Sequence, residues 1–129
     1  MNLQQGLRQE TYAVYLQTME RLLGADIPVV ESAGALDAGV LVQVMARAPS
    51  VIPGDAPKNL PLPAATIYAV AQVRALAITL QGDDSGDKWL LRSQSWLGGI
   101  SPFEALAMNS IGPEPLLVRL VQSAEGYVL

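Results

Sequence analysis

The chain reads as an all-α protein, a small bundle of five to six helices with a proline-rich connector. Three observations predict this. Apolar residues recur at three- and four-residue spacing in both blocks flanking residues 49–63. Glycines stand where those runs stop. Ser101-Pro102-Phe103-Glu104 is a complete helix start, with a capping hydroxyl, a proline suited to the first position, and a glutamate able to reach back to the Ser101 amide.

Taken in order, Tyr12, Tyr15, Leu16, Met19, Leu22 and Leu23 mark one face of a helix over residues 4–23, ended by Gly24. Ile27-Pro28-Val29-Val30 is too short to classify. Over residues 35–48, Leu36, Val40 and Val44 form one line and Leu41, Met45 and Ala48 the next. That predicts a helix, although Val40, Val42 and Val44 also alternate as a strand would. Pro49, Pro53, Pro57, Pro61 and Pro63 remove amide donors and disfavour helix in the residues before them. They predict a stiff connector, with a polyproline ligand for a recognition domain as the alternative.

Beyond it a long helix over 64–81 closes at Gly82, followed by the acidic turn Asp83-Asp84-Ser85-Gly86-Asp87. Helices are expected near 87–96, 102–108 and 113–124, the last opened by Gly112-Pro113 and capped by Gly126. The organisation is therefore an N-terminal helical block (1–48), the connector (49–63) and a second block (64–129).

Composition narrows the chemistry. At 129 residues the chain can bury roughly two thirds of its unfolded surface, enough for one core. Half of it is apolar and only 16% charged, so much of the surface is neutral or apolar, a common property of surfaces that meet other proteins. Cysteine and histidine are both absent. That excludes disulfides, Cys- or His-ligated zinc, Ser-His and Cys-His nucleophile pairs, and imidazole acid–base work. An enzyme is not expected, and neither is a cofactor.

The first ten residues contain no apolar signal core, which predicts a cytoplasmic protein. The stretch 63–80 is the nearest thing to a membrane span. It carries Gln72 and Arg74 near its middle, and a central Arg costs about 2.5–3.5 kcal/mol on insertion scales. A buried helix is the expectation. Net charge is −4, and neither block is basic: residues 1–48 hold three Arg against five carboxylates. The clustered Lys and Arg of a nucleic-acid footprint are missing.

The candidate sites are few. Asp83, Ser85 and Asp87 alternate like the start of an EF-hand, but Lys88 stands where glycine is needed and Gln94 where the bidentate glutamate is needed. A solvated turn is the expectation, and no metal. Gly98-Gly99 precedes a helix, as in anion sites, yet no P-loop lysine follows. A close-packed helix corner explains it more simply. Trp89 and Trp96, seven apart, fall on one helix face and predict core packing, with Trp96 also a candidate surface anchor. Tyr127-Val128-Leu129 is an apolar ending after a helix cap. It either folds back over the core or enters a cleft on a partner.

Taken together, Gly82-Asp83, Trp89-Leu90, Leu97-Gly98-Gly99, Pro102-Phe103-Glu104 with Leu106, and Glu125-Gly126-Tyr127-Val128-Leu129 resemble, in order and spacing, the toxin-binding domain of bacterial Xre/MbcA/ParS-type antitoxins, partners of RES-domain toxins. The resemblance covers about residues 64–129. It implies an antitoxin that neutralises its toxin by direct contact, the C-terminal end lying toward the toxin's NAD-binding cleft. The implied toxin-binding residues are Trp96, Gly98, Gly99, Glu125, Gly126, Tyr127, Val128 and Leu129. The chain departs from the pattern at Ser93-Gln94, where the family often has Pro-Asn, which suggests continued helix in place of a loop.

Family members usually carry an N-terminal helix-turn-helix. Residues 1–48 read either as a degenerate relative of it or as a dimerisation element, because Leu36, Val40 and Val44 form an apolar line. The expected partners are thus a RES-domain toxin and a second copy of the chain. The alternatives are a DNA-binding transcriptional regulator and a homo-oligomeric scaffold without a toxin.

Overall fold

In the computed structural model, which describes residues 2–58 and 60–124, the described residues are organised around one helix. That helix, α5 (Ala64–Gln81), buries eleven residues distributed around its circumference, from Ile67 to Ile78. A helix apolar on every side has to be surrounded. Here α2 (Gln9–Leu23), α3 (Ala38–Ala46), α4 (Ala48–Val51), α6 (Asp83–Leu91), α7 (Pro102–Ala107) and α8 (Pro113–Ala124) all pack on it. Ala69, Ala71, Ala75 and Ala77 keep its surface thin enough for neighbours to approach. Among the described residues α5 alone has the length and apolar content to cross a membrane, and most of it is buried inside the protein. With a short α1 (Leu3–Gly6) and two 3-10 turns, the described residues form an all-α bundle of eight α-helices.

The extra helices arise where longer ones were expected. The helix predicted over 4–23 is broken at Leu7 and Arg8, whose backbones are extended, just after the weak helix former Gly6. The helix predicted over 35–48 starts later, because Asp37 accepts from the Val40 amide at 2.9 Å and so caps α3. The strand reading of Val40–Val44 is thereby excluded. Ala33–Ala35 form a separate 3-10 turn. Pro49 sits in the first turn of α4, where its missing amide costs nothing, so the connector opens as helix. Val51 and Ala56 of the connector are buried.

One apolar core takes residues from both sides of the connector, from Tyr15 and Met19 to Leu116 and Leu120. Polar side chains of α5 tie the blocks further. The Tyr68 hydroxyl donates to the Pro28 carbonyl at 3.1 Å and accepts from the Val30 amide at 2.9 Å. Gln72 donates to the Glu31 carbonyl at 2.9 Å. The unclassified segment after Gly24 is therefore held down by α5. Burial lifts the Tyr15 phenol well above the ordinary tyrosine range, and raises that of Tyr68 despite its bond from Val30.

The acidic residues 83–87, expected as a turn, are instead the first turns of α6. Gly82, at φ 91°, ends α5 and starts α6 with nothing in between. Asp83 and Asp84 then lie where carboxylates favour a helix dipole. Arg21 pairs with Asp83 at 2.8 Å and holds its carboxyl below the usual range. Gly86 faces α5 so closely that a β-carbon there would stand 2.7 Å from the Ile78 amide nitrogen. Arg74 completes the seam with a bidentate pair to Asp87 (2.7 and 2.9 Å) and bonds to the Ser50 and Val51 carbonyls.

Candidate functional site

The site grows out of the end of α6. The helix expected over 87–96 stops at Leu91, and Arg92 is extended. The sequence departure at Ser93-Gln94 therefore produces a loop and not continued helix. Gln94 organises that loop. Its amide donates to the Ile100 carbonyl, and its carbonyl accepts from Leu97 and Gly99, at 3.0, 3.1 and 3.0 Å. Ser95–Leu97 form a 3-10 turn inside the loop. Gly98 (φ 76°) and Gly99 (φ 89°) then carry the chain through left-handed backbone that a side chain would strain. A β-carbon on either would meet nothing within 4 Å. The expectation of a close-packed corner is thus corrected: both glycines are exposed and are required by their dihedral angles.

Immediately afterwards Ser101 and Glu104 form the expected capping box. The Glu104 amide donates to Ser101 Oγ at 3.1 Å, and the Ser101 amide donates to Glu104 Oε1 at 3.3 Å. Phe103 and Leu106 anchor α7 in the core. The corner is consequently rigid at its base and open at Gly98-Gly99.

Trp89 and Trp96 do not share a helix, contrary to expectation: Trp89 belongs to α6 and Trp96 to the 3-10 turn. Both are partly buried against the core, and both line one cavity of about 470 Å³. Its other polar walls are Gln81, Arg92, Gln94, Arg119 and Ser123. The Arg119 guanidinium lies 4.4 Å from the centroid of the Trp96 ring, a cation–π contact that joins α8 to the loop. The Gln94 side-chain nitrogen is buried with no hydrogen-bond acceptor among the described residues. No carboxylate lines the cavity among the described residues, which leaves it locally positive on an acidic chain.

Of the residues singled out from the sequence, the structure brings Trp96 to the cavity wall and places Gly98 and Gly99 on the adjacent exposed turn. Glu125, Gly126, Tyr127, Val128 and Leu129 lie outside the described residues. Ser123 and Ala124, the last described positions, line the cavity. Arg92, Gln94 and Arg119 were missed. The available signal was Arg119 itself, the one basic residue among the aliphatic side chains of α8. No three carboxylates converge among the described residues in a way that could hold a metal ion. No protein-family model, curated protein or solved structure matches the chain.

The other exposed feature is in the first block. Leu36 and Val44, proposed above as an apolar line for dimerisation, are buried against the chain's own core. The opposite face of α3 is bare instead: Val42 is 70% and Met45 45% exposed. A groove of about 480 Å³ with Met45 in its wall runs between Pro49, Ile52, Pro57 and Leu62.

Proposed function

We propose that the chain is an antitoxin-like protein that neutralises a RES-type toxin by direct contact, with residues 125–129 directed into the toxin's NAD-binding cleft. The mechanism is steric and asks no chemistry of this chain. The observation that carries the reading is the corner itself: an exposed double glycine beside Trp96, clamped by Arg119 from the helix that leads to residues 125–129. A half-buried tryptophan held by a cation on a rigid turn has the character of an interface anchor. The ordered motifs from Trp89 to Glu104 support the same reading through their likeness to antitoxins.

The test is co-expression with a RES-domain toxin encoded beside this chain. Co-purification and protection of the cells are expected for the intact chain, with protection lost on deleting residues 125–129 while the helical circular dichroism is kept. Full protection by the truncated chain would count against the blocking role.

A second reading, a homo-oligomer formed through the first block, is favoured by the bare Val42–Met45 face. DNA binding finds little purchase there. Of the three arginines in residues 1–48, Arg21 pairs with Asp83, and the Arg47 guanidinium covers Gly24 at 3.2 Å from where a β-carbon would stand.

A further inference from the structure

The cavity beside Trp96 has a chemistry that a steric plug does not use. Two guanidiniums, Arg92 and Arg119, the amides of Gln81 and Gln94, and two indoles line a space of about 470 Å³, with Arg119 lying over the Trp96 ring. That volume falls within the range of small-ligand sites, about 300–1,000 Å³. The Arg119 guanidinium carries five N–H donors in a planar fork. The Gln94 Nε2 group in the same wall is a buried donor with no acceptor among the described residues. Guanidinium N–H groups in a cavity wall pair best with oxygen lone pairs, so an occupant that supplies them is favoured there. A cation would meet two like charges. A purely apolar molecule would leave the donors unsatisfied.

We propose that this cavity binds a small organic anion: a carboxylate or phosphate monoester attached to a flat apolar group. The oxygens accept from Arg92 and Arg119, as planar guanidiniums favour, and the flat portion lies against the indoles of Trp89 and Trp96. The proposal goes beyond the toxin reading, and it concerns the isolated chain, so either can fail without the other.

Trp89 and Trp96 are the only tryptophans in the sequence, so intrinsic fluorescence reports on this cavity alone. The full-length chain is titrated at low salt with phenyl phosphate and with benzoate, and with benzyl alcohol as the neutral counterpart. A saturable change with at least one anion, absent with benzyl alcohol, is expected, and the tighter of the two anions identifies the headgroup. Gln94→Glu keeps the side-chain length and places negative charge in the pocket, and should abolish the response. Arg92→Gln changes an exposed side chain, so it tests the site even if the first variant does not fold, and should weaken binding by about tenfold. No saturable response to either anion, an equal response to benzyl alcohol, or unchanged affinity in Arg92→Gln would each overturn the proposal.

Discussion

Helices α3 and α5 are built from the same kind of residue and have opposite fates. α5 buries eleven of its eighteen residues, whereas α3, with Val40, Leu41, Val42, Val44 and Met45 in nine residues, buries only Val44. Apolar content does not separate them. What differs is how many elements the chain lays over each. α5 receives α2, α6, α7 and α8 as well as α3 and α4, while α3 rests on α5 and α4 with its far side uncovered. An apolar run becomes core only when later segments return to it, and at the rim of a bundle it becomes surface.

The comparison breaks most visibly in α5. Leu76 is fully buried at the centre of the helix, and Leu76→Ala leaves a cavity with neighbours on every side. A loss of about 2–5 kcal/mol is expected, read as a lower urea midpoint with an unchanged denaturant slope. A loss below about 1 kcal/mol would mean that α5 is looser than the surrounding helices imply.

Next in size is a pair of glycine substitutions. Gly86→Ala forces a methyl against the α5 backbone, 2.7 Å from the Ile78 nitrogen, and neither helix can yield without moving the other. Overpacking of this kind costs about 1–3 kcal/mol. Gly98→Ala meets no atom and suffers only from its left-handed backbone, about 1 kcal/mol. Thermal melts should rank Gly86→Ala below Gly98→Ala. The reverse order would mean that the corner, and not the α5–α6 seam, is the tighter contact.

These glycines also show what could be read from the sequence. The all-α class, α5, the capping box at Ser101 and the opening of α8 were legible because each depends on residues adjacent in the chain. Gly82 and Gly24 were legible as stops for the same reason. Gly86 was not. It sits inside what reads as an acidic turn, and its role appears only when α6 folds back across α5. The cavity was half legible: Trp96 and the double glycine are local signals, but Arg119 meets Trp96 across twenty-three positions, a pairing no spacing rule encodes. The bidentate Arg74–Asp87 pair belongs to the same class, since it depends on the α5–α6 crossing.

The smallest effect on stability belongs to α3, and it sharpens the contrast most. Val42 is 70% exposed, so Val42→Ser removes little from the core and should change the urea midpoint by no more than the equivalent of about 0.5 kcal/mol. Its consequence is expected in association instead. If the bare face of α3 and the adjoining proline-lined groove meet a second copy, each protomer offers both an exposed Val42 and a recess with Met45 in its wall, the arrangement a two-fold interface needs. Val42→Ser combined with Met45→Ser should then move the light-scattering mass from dimer toward monomer while leaving the melt nearly unchanged. A wild-type chain that is monomeric at every accessible concentration would remove self-association and leave the face for a different protein. A large loss of stability in Val42→Ser would be more damaging, because α3 would then be held as α5 is, and apolar content alone would account for both helices.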